Sequence, residues 1–229
     1  MQRRILRMLA VVVTVAPAIV LAQSPKSATY ITDEEVKKVN SQPGVDRTIR
    51  VVDIGSEHFA VGIIHRGATG GARGTAGAGG GAGAGGGAGA GAGAGGGRGA
   101  QTGEPCGEQS GGGSAPAAGT PGGIAHDSQT EGYYIVSGGG TLVTGGHIAN
   151  GRKSAPDAEV TKVLNGPSCS GTIAGSDVVK KVVKTGDIIL IPAGVPHGWT
   201  DITDHVDYLS FRPSDHILEA GYVHPSIKK

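Results

Sequence analysis

His197 follows a predicted strand and a sharp turn, a position that presents an imidazole for chemistry. Gly186 and Asp187 indicate a tight turn, and the β-branched run 188–191 predicts a buried strand. Residues 192–194, Pro-Ala-Gly, end this strand, because proline cannot donate to a sheet ladder and glycine permits a change of direction. A neutral imidazole is a common metal ligand, so His197 is a candidate ligand. The alternative is a histidine that only caps the turn.

A second candidate group lies upstream. Glu131 comes five residues after His126, and a glycine follows at a regular gap. Together with the spacing G-x5-P-x-G-x2-H that ends at His197, this pattern resembles the two motifs of the cupin family over roughly residues 124–212. The first motif is incomplete, since Ile124 stands where its first histidine is expected.

The resemblance implies that His126, Glu131 and His197 bind one divalent metal ion. Two imidazoles and a carboxylate hold an ion on one face and leave positions open for water or substrate. Imidazole accepts several first-row metals, so Fe, Mn, Ni, Cu and Zn are all candidates. Gln129 is a further candidate oxygen ligand, and His65 is a candidate replacement for the missing histidine. Taken alone, His126 could instead be a surface-loop histidine, Glu131 a solvated strand residue and His65 an exposed residue at the edge of its strand.

Two tyrosines, Tyr133 and Tyr208, are candidate catalytic residues. Because side chains alternate along a strand, Tyr133 and Tyr134 point to opposite faces, and one of them faces the interior. Tyr208 lies on the last predicted strand, from which it would line the pocket and donate a hydrogen bond. The alternative for each ring is that it fills the core.

The resemblance implies an all-β fold, a cupin-like antiparallel jelly-roll barrel with a short N-terminal helix. Many short strand-like runs separated by turn residues favour an antiparallel sandwich or barrel in any case. The capping-box spacing of Thr32 and Glu35 predicts a helix over 33–39. Residues 147–175 are predicted to be mostly loop, with a strand at 160–164. Other strands are predicted at 48–54, 58–65, 133–137, 141–144, 178–183, 188–191, 198–202 and 206–211, the third and fourth forming a hairpin.

The sequence predicts five regions along the chain. They are a signal peptide (1–22), the N-terminal helix and first strands (23–66), a Gly-rich insertion (67–123), the barrel core (124–213) and a C-terminal tail with a short helix (214–229). The insertion is predicted to be disordered, because glycine and alanine with almost no large apolar residues cannot offset the entropy of ordering.

Residues 1–22 are typical of a secretory signal peptide. Arg3, Arg4 and Arg7 precede an apolar run that ends in a small-residue cleavage site. The alternative is a short membrane anchor, but the run is shorter than the ~20 residues that a spanning helix needs, and Pro17 interrupts it. We therefore expect a periplasmic or secreted protein with no stable membrane span after cleavage.

Charge and cysteine content restrict the partners. The chain has 20 basic and 19 acidic side chains, and removal of three arginines with the leader brings the net charge near −2. No basic stripe is present, so nucleic acid is not an expected partner. Cys106 and Cys169 could form a disulfide in an exported protein or remain as two thiols, and their spacing does not decide between these states.

Two functions remain open. The first is a metal-dependent enzyme, for which the resemblance favours a dioxygenase-type reaction on a small organic molecule. The second is a non-catalytic small-ligand-binding cupin module of the cell envelope. Ile124 favours the second, whereas Glu131 opposes it, since a carboxylate inside a barrel is costly without a cation. The resemblance also implies a homodimer.

Overall fold

The computed structural model of the chain describes residues 27–69, 101–110 and 120–229. Within these ranges it contains one α-helix, α1 (Asp33–Asn40), a π-helical turn (Thr161–Asn165), a 3-10 turn (Pro225–Ile227) and eleven strands. The predicted signal peptide lies outside the described residues. The strands β1 to β11 are, in chain order, Asp46–Asp53, His58–Gly67, Gln101–Cys106, Gly122–His126, Glu131–Thr144, His147–Ser154, Ser168–Ala174, Val179–Lys184, Ile188–Ile191, His197–Thr200 and His205–Pro213.

The strands form two antiparallel sheets that share β5. The strand order is β1-β2-β11-β5-β10-β4-β7-β6-β3, and β8 and β9 also pair with β5. The prediction of an all-β antiparallel barrel with a short N-terminal helix is confirmed. The main core lies inside the barrel and is formed by Ile64, Tyr133, Ile135, Leu142, Val183, Ile191, Trp199, Ile202, Val206 and Tyr208.

Helix α1 begins at the predicted capping box. The backbone N–H of Glu35 donates to Thr32 Oγ1 at 3.3 Å, and the backbone N–H of Thr32 donates to Glu35 Oε2 at 3.2 Å. These bonds satisfy two amides that the first turn of a helix leaves unpaired. The buried Val39 packs this helix against Ile49 and Ile63 on the outside of the barrel.

The hairpin predicted at 133–144 is wrong, because this stretch belongs to one long strand, β5. The chain does not fold back at the glycines but continues as one strand from Glu131 to Thr144. Its first half pairs with β11 and β9, and its second half pairs with β10 and β8. Gly138, with φ +67°, lies at the crossover, so the three glycines 138–140 bend the strand from one sheet into the other.

The region 147–175 also differs from its prediction as mostly loop. It contains strands β6 and β7, which pair with each other, and β7 also pairs with β4. The strand predicted at 160–164 is instead the π-helical turn, which buries Val163 and Leu164 against Val51 and Ala60. The strands were missed because small and polar residues dominate β6 and β7 and give no clear apolar alternation.

Part of the range predicted to be disordered is structured. Strand β3 pairs with β6, and Cys106 at its end forms a disulfide with Cys169 on β7. The prediction of disorder therefore does not hold for residues 101–110, since ladder bonds and a covalent link fix this stretch. Residues 70–100 and 111–119 lie outside the described residues.

Strand β9 is less buried than the apolar run 188–191 predicts. Ile191 faces the core, but Ile188 and Leu190 are 73% and 76% exposed. The reason is that side chains alternate along a strand, and the face of β9 that carries Ile188 and Leu190 is open to solvent. Within the described ranges, no helix has the length and apolar character needed to cross a membrane.

Candidate metal centre

Three neighbouring strands bring His126, Glu131 and His197 together. His126 ends β4, Glu131 begins β5, and His197 begins β10, which lies between these two strands. All three side chains are almost fully buried. Among the described residues, they form a group whose ligand atoms lie within 4.8 Å of one another and which could hold a metal ion.

The two imidazoles are oriented by backbone carbonyls. Nδ1 of His126 lies 2.7 Å from the carbonyl oxygen of Asn165, and Nδ1 of His197 lies 3.0 Å from that of Val195. A carbonyl can only accept, so each ring carries its proton on Nδ1 when neutral. This leaves the lone pair of each Nε2 directed into the site, as metal-binding histidines require.

Both lone pairs face the same carboxylate oxygen. Nε2 of His197 lies 2.8 Å from Glu131 Oε2, and Nε2 of His126 lies 3.4 Å from the same atom. His126 Nε2 is buried and makes no hydrogen bond with the residues that the structure describes. Acceptors that face each other in this way repel, and a proton or a metal ion between them removes the repulsion.

Electrostatics place the groups in the protonation states that a metal needs. Burial lowers the pKa of His126, although the negative charge of Glu131 favours the protonated form of the ring. Burial by itself would raise the pKa of Glu131, but the positive charge of Arg212 holds that pKa well below its usual value. The site therefore offers a neutral imidazole and an ionised carboxylate.

Arg212 is a site residue that the sequence reasoning missed. Its Nη2 forms an ion pair with Glu131 Oε1, the oxygen that faces away from the histidines. Its Nε donates to Ser210 Oγ at 2.8 Å, and its Nη1 donates to Asn165 Oδ1. The signal was present in β11, where strict alternation buries Arg212 on the same face as Tyr208.

The two candidate tyrosines both lie inside the barrel. Tyr133 donates its hydroxyl proton to Glu131 Oε2 at 2.8 Å, whereas Tyr134 points outward, as alternation predicts. The ring of Tyr208 packs against that of Tyr133 at an angle of 45°, with ring centroids 4.3 Å apart, and its hydroxyl accepts from Arg66 Nε at 3.0 Å. Burial raises the pKa of both phenols, so they act here as neutral hydrogen-bonding groups.

The two further candidate ligands, Gln129 and His65, lie in different environments. Gln129 is buried, with its amide against Gly166, and its amide atoms have no hydrogen-bond partner among the described residues. Its role as a ligand stays a prediction. His65 lies on the outside of the barrel, where its Nδ1 is 2.6 Å from Asp207 Oδ1. In this position it is not one of the residues that line the candidate metal site.

The space beside the three residues is small. Ile124, at the position of the missing histidine, lines a cavity of about 10 Å³ together with His126, His197, Tyr133, Arg66 and Arg212. A cavity of this volume holds about one water molecule. The site as built therefore has room for an ion or a water, and a larger molecule needs side chains to move.

Comparisons with known proteins give distant structural likenesses. No family model and no curated protein matches the sequence. The protein BH2720 from Bacillus halodurans is 10% identical with a TM-score of 0.39, covering 88% of this chain and 92% of that one. An uncharacterized conserved protein with a double-stranded beta-helix domain from Klebsiella pneumoniae is 13% identical with a TM-score of 0.35, covering 84% and 94%. An oxalate oxidase in complex with the substrate analogue glycolate is 12% identical with a TM-score of 0.30, covering 77% and 55%. At these identities and TM-scores, no property of those proteins transfers to this chain.

Proposed function

We propose that the protein binds one divalent metal ion through His126, Glu131 and His197, and that this centre acts on a small organic molecule in a dioxygenase-type reaction. The observation that carries the metal site is the convergence of two imidazole lone pairs on one carboxylate oxygen. A cation between these atoms removes the repulsion. Two nitrogens and one oxygen accept Fe, Mn, Ni, Cu or Zn.

A metal bound by these residues would supply Lewis acidity or an oxygen-binding centre. The chain's own residues have other tasks. The hydroxyl of Tyr133 and the guanidinium of Arg212 fix the carboxylate of Glu131 from two sides. The aromatic rings of Tyr133, Tyr208 and Trp199 exclude water from the barrel interior, which strengthens every polar interaction there.

A non-catalytic binding module is the second candidate, and a specific observation favours it. Arg212 already neutralises Glu131, so the buried carboxylate does not require a metal. The cavity of about 10 Å³ also leaves little space for a substrate. In this alternative, the barrel holds a small ligand in the cell envelope without turnover.

We also propose that the protein is exported and forms a homodimer. The leader-like residues 1–22 support a periplasmic or secreted protein, and the disulfide between Cys106 and Cys169 supports an oxidising compartment. The exposed Ile188 and Leu190 on β9 support a homodimer, because pairing of two copies would cover them.

The deciding experiment is elemental analysis of the purified protein after supply of each of the five metals. We expect one metal ion per chain in the parent and its loss in both His126→Ala and His197→Ala. His147→Ala is the matched control, since this histidine is half-exposed and pairs with Glu108 outside the site. Absence of metal from the parent under all five conditions would contradict the metal site.

Turnover separates the two candidates. Oxygen uptake coupled to the conversion of a small organic molecule, lost in His197→Ala, is expected of the enzyme. Binding of that molecule without oxygen uptake would support the binding module instead.

A further inference from the structure

The carboxylate of Glu131 lies between two cation sites. Oε2 faces the two histidines, whereas Oε1 is paired with the guanidinium of Arg212. Both Glu131 and Arg212 are almost fully buried, so little water screens their attraction. Arg212 therefore acts directly on the charge that a metal at the histidines would use.

The charges inside the barrel balance without a metal. Glu131 is paired with Arg212, and Arg66, which lines the same cavity, is paired with Asp46 at 3.4 Å. A divalent ion would enter a neutral environment and leave excess positive charge in a buried site, which is unfavourable.

Arg212 is also anchored independently of Glu131. Ser210 Oγ and Asn165 Oδ1 accept hydrogen bonds from two other nitrogens of the guanidinium. Neither of these bonds involves Glu131, so metal binding at the other oxygen of Glu131 does not require them to break. The guanidinium consequently stays beside the carboxylate when a metal binds.

We propose that Arg212 is a built-in counter-ion that lets the barrel fold without metal and lowers the affinity of the site for divalent ions. The inference rests on the proposed metal site. It assigns to the site an exchangeable metal rather than a structural one, because folding does not depend on occupancy.

The test compares the parent with Arg212→Gln, which removes the charge but keeps an amide that can bond to Asn165 or Glu131. Affinity for Zn²⁺ and Mn²⁺ is measured by competition with a chromophoric chelator, and melting is followed with and without each metal. We expect Arg212→Gln to bind metal about tenfold more tightly or more, as one lost neighbouring charge changes proton affinity by a similar factor. Its melting temperature should fall without metal and rise more than that of the parent when metal is added.

Two further variants make the result specific. Arg47→Gln removes a buried arginine that bonds to Asn40 and Gln42 away from the site, so it should lower the melting temperature without changing metal affinity. In Glu131→Gln/Arg212→Gln both charges are absent, so stability without metal should exceed that of Arg212→Gln, and metal binding should be lost. If Arg212→Gln folds only when metal is supplied, the proposal is supported directly.

The test distinguishes failure of the proposed role of Arg212 from failure of the proposed metal site. Equal or weaker metal binding by a folded Arg212→Gln, beside normal binding by the parent, overturns the role of Arg212 and leaves the metal site intact. Absence of binding by both proteins removes the metal site itself, and the inference with it.

Discussion

Tyr133, two residues after Glu131 on the same face of β5, donates its hydroxyl proton to Oε2 of Glu131 at 2.8 Å. The bond joins a buried phenol to a buried carboxylate, and hydrogen bonds to charged groups contribute about 1.5–3 kcal/mol. We expect Tyr133→Phe to lower the free energy of unfolding by an amount in this range, as measured by urea denaturation.

The neighbouring tyrosine provides the control for that prediction. Tyr134 is 42% exposed on the opposite face of β5, so Tyr134→Phe should change stability by no more than about 0.5 kcal/mol. Equal effects of the two substitutions would show that the bond to Glu131 contributes nothing.

The crossover in β5 makes a second prediction. A Cβ at Gly138 would overlap the carbonyl oxygen of His205, and the backbone there has φ +67°. We expect Gly138→Ala to destabilise the protein by more than about 3 kcal/mol, because overlap adds to the left-handed strain of roughly 1–2 kcal/mol. Gly186→Ala is the control, since Gly186 also has positive φ but has open space around it, and only the strain should appear.

Reduction of the disulfide makes a third prediction. The bond between Cys106 and Cys169 closes a loop with a sequence separation of 63 residues. Its removal should lower the free energy of unfolding by about 2–4 kcal/mol, as for other disulfides that close long loops. Urea denaturation with and without dithiothreitol measures this effect. The double variant Cys106→Ser/Cys169→Ser should show the lower stability in both conditions, and a parent that is insensitive to reductant would contradict the prediction.

Asp207 gives a prediction for acid stability. Burial by itself would raise the pKa of Asp207, but hydrogen bonds from His65 and Ser137 outweigh burial and hold the pKa below its usual value. Because the folded pKa is lower than the unfolded value of about 3.9, the carboxylate stabilises the fold above that pH, and the contribution is lost as the pH falls through the folded pKa.

The measurement compares Asp207→Asn with the parent by urea denaturation at about pH 5 and at about pH 3. The variant should be less stable at the higher pH, and the difference should shrink at the lower one. Asp157→Asn, at an exposed position, should show no such convergence. A difference that grows on acidification would reverse the predicted sign.

The candidate site illustrates which contacts a sequence can predict. The spacing around His126, Glu131 and His197 indicated one group, and the register of β4, β5 and β10 brings these residues together. Arg212 could have been found from the alternation along β11. Asn165 could not, because its contacts depend on a π-helical turn in a region whose apolar residues also suit a strand.

The fold, like the site, was predictable from the sequence only in part. Capping residues identified α1, and apolar runs identified most strands of the barrel. The glycines at 138–140 were ambiguous, because the same residues permit a tight turn or a bent strand, and only pairing with β11 and β10 selects the bend. The exposure of Ile188 could not be predicted either, since burial of an apolar run depends on what covers each face of its strand in the folded protein.

Strand β5 has a consequence for how the molecule unfolds. It is hydrogen-bonded to β11, β9, β10 and β8, and it carries Glu131 at one end and the ladder partner of His197, Thr144, at the other. Neither sheet can lose this strand and keep its own pairing, so the two halves of the barrel are coupled. Local opening next to the site therefore requires nearly the full free energy of global unfolding, and the backbone amides of β5 should exchange with solvent among the slowest in the chain.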